Sequence, residues 1–206
     1  MPQSIKVWDI LVRLFHWSLV LFFILAYLTA EGDLETMHAW AGYTIAGLIG
    51  FRLIWGLIGT KYARFSNFIY RPAEIRTYLR SLMTRHSKHY LGHNPAGGAM
   101  VAMMLVALVL VTWTGLETYA AEGKGPLANS SISLQIPAAH ADGWEHGDNQ
   151  SDEFWKDVHE FTVNMMLMLI LIHIAGVLVS SLLHGENLPR AMITGRKSIQ
   201  DSDQQP

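Results

Sequence analysis

Apolar positions in this chain gather into four blocks that carry almost no charge: residues 10–30, 36–59, 95–119 and 154–184. Roughly 20 helical residues cross the ~30 Å hydrocarbon layer of a bilayer, so each block predicts a transmembrane helix. The link between the first two, Glu31 to Glu35, is short and acidic and makes them antiparallel neighbours. The second link, residues 60–94, is basic, and its stretch from Pro72 to Leu79 reads as a short amphipathic interfacial helix opened by proline. The third link, residues 120–153, is an outer loop rich in Gly, Ser, Asp and His, and residues 198–206 form a polar, disordered tail. Residues 1–197 are thus expected to form one all-α membrane domain, a four-helix transmembrane bundle.

Lysine and arginine set the orientation, because they accumulate on the cytoplasmic side. Twelve lie before or at the start of the first block, in the second link and after the fourth block; Lys124 and Lys156 lie on the opposite side, and Arg52 falls inside the second block. Both termini are expected in the cytoplasm of a multi-pass protein of the bacterial inner membrane. The first block resembles a signal peptide, with Lys6 before it and Leu28-Thr29-Ala30 at its end, but its length and an embedded histidine favour a span.

Composition narrows the chemistry. The chain has 206 residues, 50% of them hydrophobic, a formal net charge of -2 and no cysteine. That charge offers no global attraction to nucleic acid. Without cysteine there is no disulfide, no cysteine-held iron–sulfur cluster and no thioether-linked haem.

Histidine remains as the carrier of chemistry. Four of the ten histidines sit inside or at the edge of apolar blocks: His16, His38, His159 and His173. Ionisable groups in a span are costly and point to function, although a histidine bonded to a neighbouring helix is the plain alternative for any one of them. His159 and His173 are 14 residues apart, which in a helix means about 21 Å of rise and about 40° of rotation. With the helices alternating in direction, His16 and His173 share the inner level, and His38 and His159 share the outer one. Two histidines facing each other can supply both axial positions of a haem iron, whereas zinc or copper would want three or four ligands at one height. Two noncovalent b-type haems, one per level, follow. Gly42 lies one turn from His38 and Gly176 three residues after His173, positions where a flat macrocycle or simple helix packing would want a small residue. Arg52 shares the face of His38 but reaches the inner level, where it suits a haem propionate or snorkels to headgroups; Arg13 has the same two readings.

These residues resemble the bacterial cytochrome b561 family, which includes the b-type cytochrome subunits of nickel–iron hydrogenases. The resemblance runs through Val7-Trp8-Asp9, Arg13-Leu14-Phe15-His16-Trp17, Met37-His38-Ala39-Trp40-Ala41-Gly42, Arg52-Leu53-Ile54-Trp55-Gly56, Gly92-His93-Asn94-Pro95, His159-Glu160 with His173, and the segment from Gly185 to Gly195. It implies a four-helix core with two haems b on His16, His38, His159 and His173. It also implies quinone exchange near the inner haem, with Asn94 at the position that approaches the quinone; an Asn-Pro helix start explains Asn94 equally well.

Other histidines read as background. His86, His89 and His93 lie beside arginines in the basic link and are expected to face solvent or phospholipid. His140 and His146 flank an acidic stretch of the outer loop that could take a divalent metal, and His184 ends the fourth block. The methionines read as packing or lipid-facing side chains.

The expected function is transmembrane electron transfer between a periplasmic redox protein, such as a c-type cytochrome or a hydrogenase small subunit, and the membrane quinone pool. The outer links and the start of the fourth block carry ten acidic residues against two lysines, which suits a basic partner. Two other functions are compatible with the sequence. One is a superoxide:quinone oxidoreductase, which would want a basic outer funnel; the other is a non-redox membrane anchor or assembly subunit, with or without homo-oligomers.

Overall fold

The computed structural model describes residues 4–31, 33–83, 90–128 and 147–198. His86, His89, His140, His146 and residues 199–206 lie outside them. The elements run β1 (Ser4–Lys6), α1 (Ile10–Leu28), α2 (Glu35–Ile58), a single 3-10 turn (Phe65–Asn67), α3 (Pro72–Met83), α4 (Pro95–Ala121), α5 (Gly147–His184), α6 (Leu188–Thr194) and β2 (Arg196–Ser198). Within these, four segments are long and apolar enough to cross a membrane: Ile10–Leu28, Glu35–Ile58, Pro95–Ala121 and Asp152–His184. Their surfaces carry Leu21 at 63%, Leu57 at 72% and Leu182 at 83% exposure. Apolar surface of this extent is what a lipid-facing helix presents.

The chain divides into two compact units, residues 1–105 with 169–206, and residues 106–168. In the first, α1 and α2 pack as a hairpin. Asp9 caps α1 by accepting from Val12 N at 2.9 Å, and its second oxygen accepts from Trp55 Nε1 at 3.3 Å and Thr60 Oγ1 at 2.5 Å. The start of α1 is thereby tied to the end of α2. Burial alone would push the Asp9 carboxyl up, but the bonds from Thr60, Val12 and Trp55 favour the ionised form and hold it below the usual value.

A feature with no apolar signature closes this unit. β1 pairs antiparallel with β2, Ser4 opposite Ser198 and Lys6 opposite Arg196. The segments flanking the first and last spans therefore meet on one side of the membrane. Gly195 makes the junction possible: it ends α6 in the left-handed region at φ +80°, and its carbonyl accepts from Val7 N and Trp8 N. A Cβ there would come within 2.7 Å of the Trp8 carbonyl oxygen. Nearby, Lys197 Nζ binds Glu186 at 3.0 Å and donates to the Tyr90 carbonyl at 3.2 Å, both charged side chains being only 6% exposed.

The second unit joins the α4 and α5 segments by hydroxyls. Thr118 Oγ1 donates to the Trp155 carbonyl at 3.0 Å, and Thr114 and Thr162 meet through their hydroxyl oxygens at 3.1 Å. Such bonds join helices where water is absent.

Candidate functional site

The first unit brings His16, His173 and Arg52 into one electrostatic neighbourhood, and adds His93 to it. His16 and His173 are within reach of each other's charge, and His93 is within reach of Arg52, Lys197 and His173. Three helices supply this convergence. His16 stands two turns into α1 and His173 on the later part of α5. Arg52 comes from α2, whose 14-residue separation from His38 keeps both on one face. Arg52 is buried at 3% exposure, with its guanidinium over the rings of Phe65 and Phe68 at 5.0 and 5.8 Å. Cation–π contact keeps the side chain inside and replaces the snorkelling expected as one reading of the sequence.

Polar atoms in this neighbourhood are buried and, among the described residues, lack hydrogen-bond partners: His16 Nδ1, Arg52 Nη1 and His93 Nδ1; Arg13 Nε is in the same condition. Each such atom costs roughly 1–3 kcal/mol if nothing else satisfies it. Native structures satisfy nearly all such atoms, so three in one neighbourhood point to a bound polar ligand.

His93 corrects the sequence reading, which placed it toward solvent or phospholipid. Its ring lies 4.6 Å from Trp8 and 4.6 Å from Phe68, between the two. Burial, with Arg52, Lys197 and His173 adding to it, takes its pKa down to about 3. The basic sequence context gave the wrong answer because described arginines of the link, such as Arg71, Arg76 and Arg80, are exposed while His93 turns inward. Asn94, beside it, accepts from Gly97 N through Oδ1 at 2.7 Å and so caps α4.

The two remaining span histidines are each oriented by a hydrogen bond. His38 Nδ1 donates to the Ala26 carbonyl of α1 at 2.8 Å. His159 Nδ1 lies 3.0 Å from Thr114 Oγ1, a hydrogen bond that fixes the ring whichever of the two atoms donates. In neutral His38 the proton on Nδ1 leaves the lone pair on Nε2, the atom a metal would take. Gly115 lets His159 approach α4 closely: a Cβ there would lie 3.1 Å from His159 Cε1. By contrast, a Cβ at Gly42 or Gly176 meets no atom of the described residues within 4 Å. His184 bonds back to the Ser180 carbonyl of its own helix.

Sequence reasoning passed over Glu117, which is 1% exposed in α4, one turn from Thr114. A carboxylate inside an apolar block was the available signal. Among the described residues no group of three or more His, Asp or Glu side chains is placed to hold a metal ion by itself.

With this geometry in hand, comparison with known proteins gives one match. Residues 7–195 fit the model of a protein family described as prokaryotic cytochrome b561. No curated protein and no solved structure matches the chain.

Proposed function

Because the chain belongs to the prokaryotic cytochrome b561 family, and so is a b-type cytochrome of transmembrane electron transfer, we propose that it holds two haems and links a periplasmic redox protein to the membrane quinone pool. The observation that supports this reading is that one compact unit holds His16, His173, Arg52 and His93, with buried ring and guanidinium nitrogens that lack acceptors among the described residues.

The residues present fit haem. Imidazoles supply iron ligands, and unpaired donors at Arg52 and Arg13 suit the carboxylates of a porphyrin. His16 and His173 would hold the haem of the cytoplasmic half, His38 and His159 that of the outer half. The outer pairing rests on their matching heights in the sequence. When bound, haem supplies reversible one-electron exchange at its iron. The chain's own contribution would be to hold the iron by histidines alone, which favours electron transfer over oxygen chemistry. Thr114 and the Ala26 carbonyl fix the rings of His159 and His38 by hydrogen bonds. Asn94 keeps its Oδ1 on the α4 cap, so its amide N–H groups are the part that would donate to a quinone carbonyl.

The side on which β1 and β2 meet is the cytoplasmic one by the lysine and arginine count. The acidic excess of the outer links supports a basic docking partner by electrostatic steering.

Haem content of the detergent-purified protein, measured by pyridine haemochrome with reduced optical spectra, tests the reading. Two low-spin haems b per chain are expected. One haem removes one histidine pair, and none in folded, haem-supplied protein leaves a membrane anchor.

Thr114→Val keeps the shape of the side chain and removes the hydrogen-bond partner of His159 Nδ1. Loss of such a partner typically costs ~10–100-fold in metal affinity. The outer haem should then pass faster to a haem-scavenging protein than the inner one. Equal retention in wild type and variant would show that Thr114 does not orient a ligand.

A further inference from the structure

His93 is held in place by several contacts that leave its ring nitrogen unused. Its ring sits between Trp8 and Phe68, and its carbonyl accepts from Tyr70 OH at 3.0 Å. The loop before it is pinned where Lys197 donates to the Tyr90 carbonyl, and Lys197 is already neutralised by Glu186. Yet Nδ1 is buried and unpartnered among the described residues. Arg52 Nη1 is in the same condition, and its guanidinium packs on Phe68, the ring that also flanks His93. Two unsatisfied polar groups therefore share one aromatic neighbour, and the acids near them are committed elsewhere: Glu186 to Lys197, and Asp9, whose charge reaches Arg52, to Val12, Trp55 and Thr60. The complementary group is an anion with acceptor oxygens, brought by something other than the protein.

We infer that His93 and Arg52 together bind a carboxylate of the inner b-type haem, which makes His93 a positioning residue that raises the reduction potential of that haem. The inference rests on the two-haem reading above. Its physical basis is simple. A donor and a cation at the carboxylate withdraw negative field from the iron, and their loss favours the ferric form.

The experiment is an optical redox titration of the full-length, haem-loaded protein with His93→Phe, His93→Gln and Arg52→Gln, using the outer haem as internal reference. His93→Phe keeps an aromatic ring between Trp8 and Phe68 but removes the donor. It should shift the inner haem about tenfold toward the oxidised form, which is about 59 mV for a one-electron couple. Arg52→Gln should shift it in the same direction, and His93→Gln, which retains a donor, should stay near wild type. Loss of the inner haem in His93→Phe but not in His93→Gln would support the same conclusion, since only the donor separates the two. An unshifted inner haem in His93→Phe, with both haems bound, would overturn it. Loss of the low-spin inner signal in both His93 variants would also overturn it, by making His93 an iron ligand. If the wild type itself lacks the second haem, the two-haem reading fails first and the two failures are told apart.

Discussion

Alanine at His16 and alanine at His173 should each leave one haem per chain, and the haem they remove should be the same one. Each of the two histidines would supply half of the iron's protein ligation, and no other protein bond would anchor a noncovalent haem as firmly. The chain has no cysteine to attach it. His16 and His173 belong to one compact unit, and the charge of His173 reaches His16. His38→Ala and His159→Ala should remove the other haem. Haem-to-protein ratio, with low-temperature spectra to tell the two haems apart, reads the result. If His16→Ala and His38→Ala deplete the same haem, the pairing by level is wrong. His93 gives this test an added edge, because a third imidazole stands near His173. Should His16→Ala keep a low-spin inner haem, His93 has taken the empty position.

The second large effect is expected at Gly98. By helix propensity alone, alanine in place of an interior glycine gains about 1 kcal/mol. Here a Cβ would fall 2.1 Å from the Phe68 carbonyl oxygen and 3.2 Å from its carbonyl carbon. Backbone cannot swing aside as a side chain can, so the helix or the 65–69 segment has to move. Overpacking of this kind costs ~1–3 kcal/mol and often more where backbone is struck, enough to reverse the propensity gain. Phe68 is 2% exposed and touches Phe65, Arg52 and His93, so displacement spreads directly into the inner cluster. Gly98→Ala should lower the unfolding temperature and weaken inner-haem retention. Gly47→Ala is the control. Gly47 is exposed on α2, with nothing within 4 Å of a Cβ, and should be neutral or mildly stabilising. Equal melting of the two variants would mean that the contact at Phe68 is soft.

Both predictions draw on residues that the linear sequence treated very differently. His16, His38, His159 and His173 were visible at once, because a histidine in an apolar block stands out against its surroundings and helical rise converts spacing to height. Arg52 was visible for the same reason, though its burial between aromatic rings was not. Gly98 carried no signal, since glycine is common in membrane helices for several reasons. His93 carried a misleading one. Its neighbours in the chain are basic, while its neighbours in space, Trp8 and Phe68, come from segments 85 and 25 residues away.

The sequence by itself determined the helical class, the four membrane-crossing segments and the candidate ligands. Those follow from hydrophobicity and helical geometry, which act locally along the chain, and from the high cost of placing ionisable groups in lipid. Only the tertiary structure decided that β1 and β2 pair, that Asp9 ties α1 to the end of α2, that Thr114 orients His159, and that His93 turns inward beside Arg52. Each of these depends on partners distant in sequence: Ser4 with Ser198, Asp9 with Thr60, Thr114 with His159, Trp8 with His93. Hydrogen bonds and ring contacts are short-ranged and directional, so they exist only once the backbone has brought both partners into place, and no periodicity in the chain encodes them.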